Sequence, residues 1–393
     1  MQNRRVFLKN CALAMAGAGA APAWLTRTLQ AGEAKGKVLV AIFQRGAADG
    51  LNIVAPVADK RYYDLRPAIA IKRNEALQLD ARFALHPALQ PLKSIWDERQ
   101  LAIVHAAGSP DATRSHFDAQ DYMESGTPGV KSTRDGWLNR TLAKSEKPSP
   151  VRAIAMGQQL PRALRGANPA VAVNGIQNFR VADRDSSEMF QTMYAKSVDT
   201  TLHGPGQDTF EAVRLLESIQ KRGYTPAAPY PRGRLAESLK QIAQLIKSDV
   251  GLEVAFADIG GWDHHVNEPV QLENRLTEFG GALAAFYRDL GDRMQDVAVV
   301  TMSEFGRTAR ENGGRGTDHG HANCMFILGG GIPGGKVYGP WPGLEPEQLY
   351  EGRDLAVTTD FRDVMASVAK RQFRIANASA IFPGFHAGRD VFA

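Results

Sequence analysis

Leu252-Glu-Val-Ala-Phe-Ala-Asp-Ile-Gly-Gly-Trp-Asp-His-His265 joins an apolar run to a polar turn. The first half, Leu252 to Asp258, predicts a buried β-strand, and Gly260-Gly261 ends it. Beyond the turn, Leu272, Leu276, Phe279 and Leu283 recur at three and four residues, which predicts a helix over about 270–293. Val297-Ala-Val-Val-Thr-Met302 is then a second buried strand. Strand, helix and strand in that order make a parallel crossover unit.

The same grammar extends outward. Lys37 to Phe43, Leu101 to His105, Ala153 to Met156, Ala170 to Val173 and Met325 to Leu328 are further short apolar runs closed by glycine or polar turns. Residues 186–246 read as mostly helical with a break near 223–231, and Leu235, Leu239, Ile242, Leu245 and Ile246 mark one face. The expectation is an α/β fold with a mostly parallel central sheet, helices on both faces, and a largely helical insertion at about 186–250. One domain would span 24–393.

Composition agrees with a globular chain: 393 residues, 44% apolar and 23% charged, which excludes disordered, collagenous and disulfide-scaffold classes. Net charge is +5, but Arg4, Arg5 and Lys9 sit in an acid-free N-terminal stretch, and without them it is +2. That balance gives no footprint for nucleic acid or an anionic membrane. Of the two cysteines, Cys11 lies in the N-terminal stretch and Cys324 in an apolar run, so no internal disulfide is expected and Cys324 reads as a core thiol.

Asn3-Arg4-Arg5-Val6-Phe7-Leu8-Lys9, a weakly apolar Ala/Gly-rich run and Ala21-Pro22-Ala23 have the layout of an export signal cleaved after Ala23. The paired arginines followed by Phe-Leu-Lys point to the twin-arginine translocase, with folded cargo and a periplasmic or secreted destination. The apolar run is too short to span a bilayer.

Polar residues gather where the predicted strands end, which in open α/β sheets is the ligand-binding edge. Asp263 and His265, two apart on an extended turn, can share one ion, with His264 facing elsewhere. Gly316-Thr317-Asp318-His319-Gly320-His321 is a denser set of ligand-type residues. Thr301-Met-Ser-Glu304-Phe-Gly-Arg307 offers an acid as ligand or acid/base, and a guanidinium that either binds an oxyanion or pairs with Glu304 or Glu311. Asp111-Ala-Thr-Arg-Ser115-His116 is a strand-to-helix turn in which Ser115 is either an N-cap or a nucleophile, flanked by Arg114 and His116. Asp49, in Gln44-Arg-Gly-Ala-Ala-Asp-Gly50, is a ligand or a turn former.

Gly-Gly-x-Asp-x-His, Ser303-Glu-Phe-Gly-Arg-Thr308 and Thr317-Asp-His-Gly-His321 together resemble a family of twin-arginine-exported bacterial proteins of uncharacterised function in the alkaline phosphatase and sulfatase superfamily. The likeness runs from the Asp49 turn to Phe382-Pro-Gly-Phe385. It implies one metal on Asp263 and His265 with His319 or His321, a second on Asp49 and Glu304, and Ser115 bridging them. Phe305 stands where the superfamily usually shows an imidazole, and His116, Asp318 or a water is the implied replacement. The Cys-x-Pro-x-Arg signature is absent, so formylglycine chemistry is not expected. The implied cofactor is one or two divalent ions, zinc first, with Mn, Mg or Fe as alternatives. The implied activity is hydrolysis of a small anionic ester, phosphate ahead of sulfate, with catalysis by Ser115 and charge neutralised by Arg307 or Arg114. A metal-bearing binding or assembly protein on a degenerate scaffold, or a metal-dependent lyase or isomerase, are the alternatives.

Overall fold

The computed structural model describes residues 36–143, 148–176, 200–388 and 390–393. The expected export signal with Cys11, and residues 186–199 at the start of the predicted helical stretch, lie outside that set. Among the described residues one large sheet contains Val38–Gln44 (β1), Leu101–Gly108 (β2), Ala153–Met156 (β3), Val171–Val173 (β4), Val254–Ile259 (β5), Val297–Met302 (β6), Asn323–Gly329 (β7), Lys336–Tyr338 (β8) and Thr359–Asp360 (β9). Its order is β8-β2-β7-β6-β1-β5-β3-β4, with β9 beside β2. All pairings are parallel except those of β7, which runs antiparallel to both β2 and β6.

The main helices are Gln90–Asp97 (α1), His116–Ser125 (α2), Thr200–Arg222 (α3), Arg234–Lys247 (α4), Glu268–Leu290 (α5) and Phe361–Phe373 (α6). β1 shows why they flank the sheet on both sides: its seven residues are all buried. Val38, Val40 and Ile42 pack with apolar residues of α1, α3, α4 and α5. Leu39, Ala41 and Phe43 pack with Met123 of α2 and Phe361, Val364 and Met365 of α6. A strand covered on both faces reads as an unbroken apolar run, and this run identified it. No described helix is long and apolar enough to cross a membrane. Cys324 is buried, and burial pushes its thiol far above the ordinary range, so it stays unionised near neutrality.

The reversal of β7 positions the site. Residues 303–322 between β6 and β7 contain no helix, and a parallel return needs a crossover of a dozen or more residues on a sheet face. Instead the chain loops at one edge and re-enters antiparallel. The start of β7 therefore lies beside the C-terminal ends of its antiparallel neighbours β2 and β6, and the Asp318 to His321 turn, placed by sequence at a strand end, precedes a strand start. Two glycines let the halves of this loop touch: Gly306 N–H donates to His321 O (2.8 Å) and Gly320 N–H to Gly306 O (2.8 Å). A Cβ on Gly306 would overlap the Ala322 carbonyl oxygen, and one on Gly320 the Arg307 carbonyl.

Two buried histidines beneath this edge are held neutral. His105 Nε2 donates to Val54 O (2.9 Å) while Nδ1 accepts from Ala106 N–H (2.8 Å). His86 Nδ1 accepts from Ala88 N–H (3.1 Å). Burial lowers each to about 4. The unfolded chain therefore binds protons that the folded chain refuses as pH falls from about 6.5 to about 4. Stability present above that window is lost within it, at up to about 1.4 kcal/mol per pH unit for each histidine. Urea unfolding midpoints between pH 7 and pH 4.5 should fall accordingly, and His105→Asn should flatten the decline by one histidine's share. An equal slope in that variant would contradict the assignment.

Candidate metal centre

Three loops deliver the site, after β5, after β2 and between β6 and β7. Asp263 and His265 leave β5, Glu304 and Arg307 leave β6, His319 precedes β7, and Ser115-His116 open α2 after β2. His116, Asp263 and His319 each offer a ligand atom, all within 4.8 Å of one another. His265 joins them, its Nε2 lying 3.0 Å from Asp263 Oδ1 and 3.2 Å from His319 Nε2. His319 Nε2 is itself 3.2 Å from Asp263 Oδ1.

Each imidazole is held by its other nitrogen. His116 Nδ1 is 2.8 Å from Glu304 Oε1, His319 Nδ1 is 3.0 Å from Arg114 O, and His265 Nδ1 is 3.1 Å from Asp318 Oδ1. Acceptors at Nδ1 put the proton there and leave an Nε2 lone pair for an ion, which is how metal-binding histidines are usually oriented. His116 Nε2 is buried, lacks a hydrogen-bond partner, and faces Asp263 Oδ2 at 3.5 Å. Burying such an atom unpaired is costly. The triangle of His265 Nε2, His319 Nε2 and Asp263 Oδ1 has edges near the roughly 3.3 Å between donors about 2.0–2.1 Å from a tetrahedral ion. Nitrogen donors with one carboxylate suit zinc, manganese or iron. The residues therefore fit a divalent ion.

Charge is arranged around Asp263. Partial burial raises its pKa, but the hydrogen bond and charge of Arg307 and the His319 contact outweigh that and hold it at about 2. His116 is raised by its bond to Glu304, and His319 is lowered by burial. Phe305 lies against both rings, with centroids 5.0 Å from His116 and 5.0 Å from His319.

The remaining residues singled out by sequence are placed differently. Glu304 is buried and its Oε1 accepts from His116, Gln120 Nε2 (2.9 Å) and Gly46 N–H (2.8 Å), so it braces the His116 imidazole from behind. Arg307 is buried and donates to Ala47 O, Thr317 O, Gly46 O, Trp262 O and Asp263 Oδ1, the last at 2.6 Å. Asp49 caps Leu51 N–H and pairs with Arg66 through both oxygens, at 2.5 and 3.0 Å, outside the three-residue cluster. Asp318 holds His265. His321 Nε2 is on Ser109 O (3.0 Å) and its ring lies on Tyr350, away from the other imidazoles. His264 Nε2 is on Gly261 O (2.7 Å). Ser115 is the N-cap of α2 but makes no side-chain capping bond, and it is exposed between Arg114 and His116.

His116 is the ligand-type residue that sequence reading kept only as a flanking charge or a substitute for an absent imidazole. The spacing of Ser115-His116 just past a strand was the available signal. Arg66 and Glu268, which surround Asp49, carried no signal at all. Their contacts are 17 and more residues away in sequence.

Metal content separates these placements. Asp263→Ala or His319→Ala should abolish metal retained through dialysis, and Glu304→Gln should weaken it by about 10-fold or more. Asp49→Asn should leave metal affinity within a few-fold yet cost about 3 kcal/mol, because it strands the buried Arg66 charge. Loss of metal in Asp49→Asn at unchanged stability would reverse that assignment.

No curated protein matches the sequence. Several solved structures resemble the chain distantly. The C-terminal periplasmic domain of EcEptC from Escherichia coli, in complex with Zn, is 9% identical over 76% of this chain and 74% of its own, with a TM-score of 0.37. The PsFucS1 sulfatase from Pseudoalteromonas sp. is 11% identical over 94% and 75%, with a TM-score of 0.36. Alkaline phosphatase from the Antarctic bacterium TAB5 is 10% identical over 75% and 92%, with a TM-score of 0.30. Likenesses of this size carry no argument about what this chain binds or does. A family relationship does cover most of the sequence: the chain belongs to the family described as "Protein of unknown function (DUF1501)", matched over residues 36–382.

Proposed function

We propose that this chain is an exported metal-dependent hydrolase of an anionic ester, phosphate ahead of sulfate, on an alkaline phosphatase-like scaffold. One observation carries the reading: His116, His319 and His265 have their Nδ1 atoms tethered, and their Nε2 atoms gather around the ionised Asp263 at a sheet edge. His116, Asp263, His265 and His319 would hold the ion, with Glu304 and Asp318 behind two of the histidines. Zinc or a similar ion held there would supply Lewis-acid charge for an ester oxygen and would lower the pKa of a nearby hydroxyl.

The chain's own groups divide the remaining work. Ser115 is the nucleophile of this reading: its hydroxyl is exposed, free of the capping role, and at the positive end of the ten-residue α2. Backbone N–H groups of the first turn of α2 face developing anionic charge. Arg307 holds Asp263 ionised and in place rather than meeting the substrate. The twin-arginine signal read at residues 1–23 places the enzyme in the periplasm or outside the cell, with the translocase as its partner in export.

A metal-bearing binding protein is the second reading, favoured by Arg307, whose guanidinium is committed to five protein acceptors. Activity decides between them. Purified mature protein should contain stoichiometric metal and turn over at least one member of a panel of aryl phosphate mono- and diesters and aryl sulfates. Ser115→Ala should keep its metal and lose about 10³-fold or more in kcat. Full metal with no turnover on any ester would leave the binding reading. Unchanged kcat in Ser115→Ala would remove the nucleophile.

A further inference from the structure

Beside the ligand His319 the structure holds an ion-pair group with an unexpected member. Asp354, fully buried, receives Arg114 Nη2 (2.6 Å) and Nε (3.2 Å) from one side and Arg353 Nε (2.9 Å) and Nη2 (3.2 Å) from the other. Both arginines also hold His319: its Nδ1 is on the Arg114 carbonyl, and Arg353 Nη2 donates to its carbonyl at 2.5 Å. Asp354 thus joins the two guanidiniums through one carboxylate. Glu351 then adds a second carboxylate to Arg114, Oε2 to Nη2 at 2.8 Å, from a side chain 56% exposed.

Glu351 sits where its backbone does not favour it. Glu351 and Gly352 have φ of +54° and +65°, and Arg353 N–H closes on Tyr350 O at 3.1 Å between the bridged Tyr350 and Asp354. Two successive positive φ values at the centre of a hairpin turn suit Asn-Gly or Gly-Gly, and a glutamate there is strained. Strain held beside a candidate site points toward function. The carboxylate it delivers makes an exposed, salt-sensitive pair that a competing anion can replace.

We propose that Arg114 recognises a second negatively charged group on the substrate, and that Glu351 occupies its guanidinium until that group displaces it. The substrate class is then an anionic ester carrying a further acidic group away from the reacting centre. Arg114 and Glu351 determine specificity in this scheme. The proposal rests on the hydrolase reading for the position of the reacting group, but its test does not depend on turnover.

The probes are two unhydrolysable phosphonates, phenylphosphonate and 4-carboxyphenylphosphonate, titrated calorimetrically into the metal-loaded full chain with metal content measured in parallel. Glu351→Gln and Glu351→Gly should each tighten the carboxylated compound about fivefold and move the parent compound less than twofold. Arg114→Gln should erase the preference for the carboxylated compound at unchanged metal content. Equal affinity of wild type and both Glu351 variants for the carboxylated compound overturns the proposal, as does no binding in any of them. A higher melting temperature in Glu351→Gly with no change in affinity would also overturn it, marking Glu351 as a turn residue only. Binding with the expected pattern but no ester turnover would sink the hydrolase reading alone.

Discussion

One buried cation holds the sheet edge together. Arg307 leaves the end of β6 and reaches the carbonyls of Gly46 and Ala47 after β1, Trp262 after β5 and Thr317 before β7, then closes on Asp263. A guanidinium out of water is tolerated only when its donors are satisfied, and its planar fork meets several fixed carbonyls at once as an ammonium cannot. Three loops, after β1, after β5 and between β6 and β7, are therefore tied to one point. The centre depends on that tie, because Asp263 owes both its position and its low pKa to Arg307.

A second buried pair supports the same loop from below. Arg66 joins Asp49 to the carbonyls of Thr308 and Ala309, and Glu268 accepts from Asn52 Nδ2 and Thr317 Oγ1 beside it. Burial and the neighbouring Asp49 charge push Glu268 well above the usual carboxylate range, while Arg66 outweighs burial to hold Asp49 down. Two carboxylates and one guanidinium thus share the core, with one acid shifted toward its protonated form by burial and by the other's charge. Such a network is a weak source of net stability, but breaking it leaves an unpaired charge. Its physical effect is to fix where the loop carrying His319 begins.

The strands were legible because burial on both faces writes an apolar run regardless of neighbours. β3 and β6 coincide with their predicted bounds, Ala153–Met156 and Val297–Met302. Direction was not legible in the same way. Met325-Phe-Ile-Leu328 reads identically as a parallel or antiparallel strand, and only the absence of a helix in 303–322 reverses it. At the site, glycine-rich turns exposed Asp263, His265 and His319. The partition of Glu304, Arg307 and Asp49 between ligand and support was hidden, since it depends on which distant groups each one meets. Arg307 looks the same in sequence whether it faces solvent or buried carbonyls, and Asp49 whether it faces solvent or a buried guanidinium. Short elements such as β8 and β9 carry too few apolar residues to show a period.

Charge at the centre imposes an order on binding. Asp263, Glu304 and Asp318 bring three carboxylates to the hydrogen-bonded cluster, against the single guanidinium of Arg307. With neutral histidines this cluster is net negative, and an anionic ester approaching it would meet repulsion in a partly desolvated setting. Binding a dication cancels that charge, because three imidazole nitrogens add donors without adding charge. Thiolate or further carboxylate ligands would have left the loaded site anionic. Histidine-rich coordination, with Glu304 and Asp318 behind two of the imidazoles, is thus suited to holding an ion and then admitting a negatively charged ligand without net repulsion. The support residues contribute negative charge at a distance, where it stabilises the ligand imidazoles more than it repels the ligand.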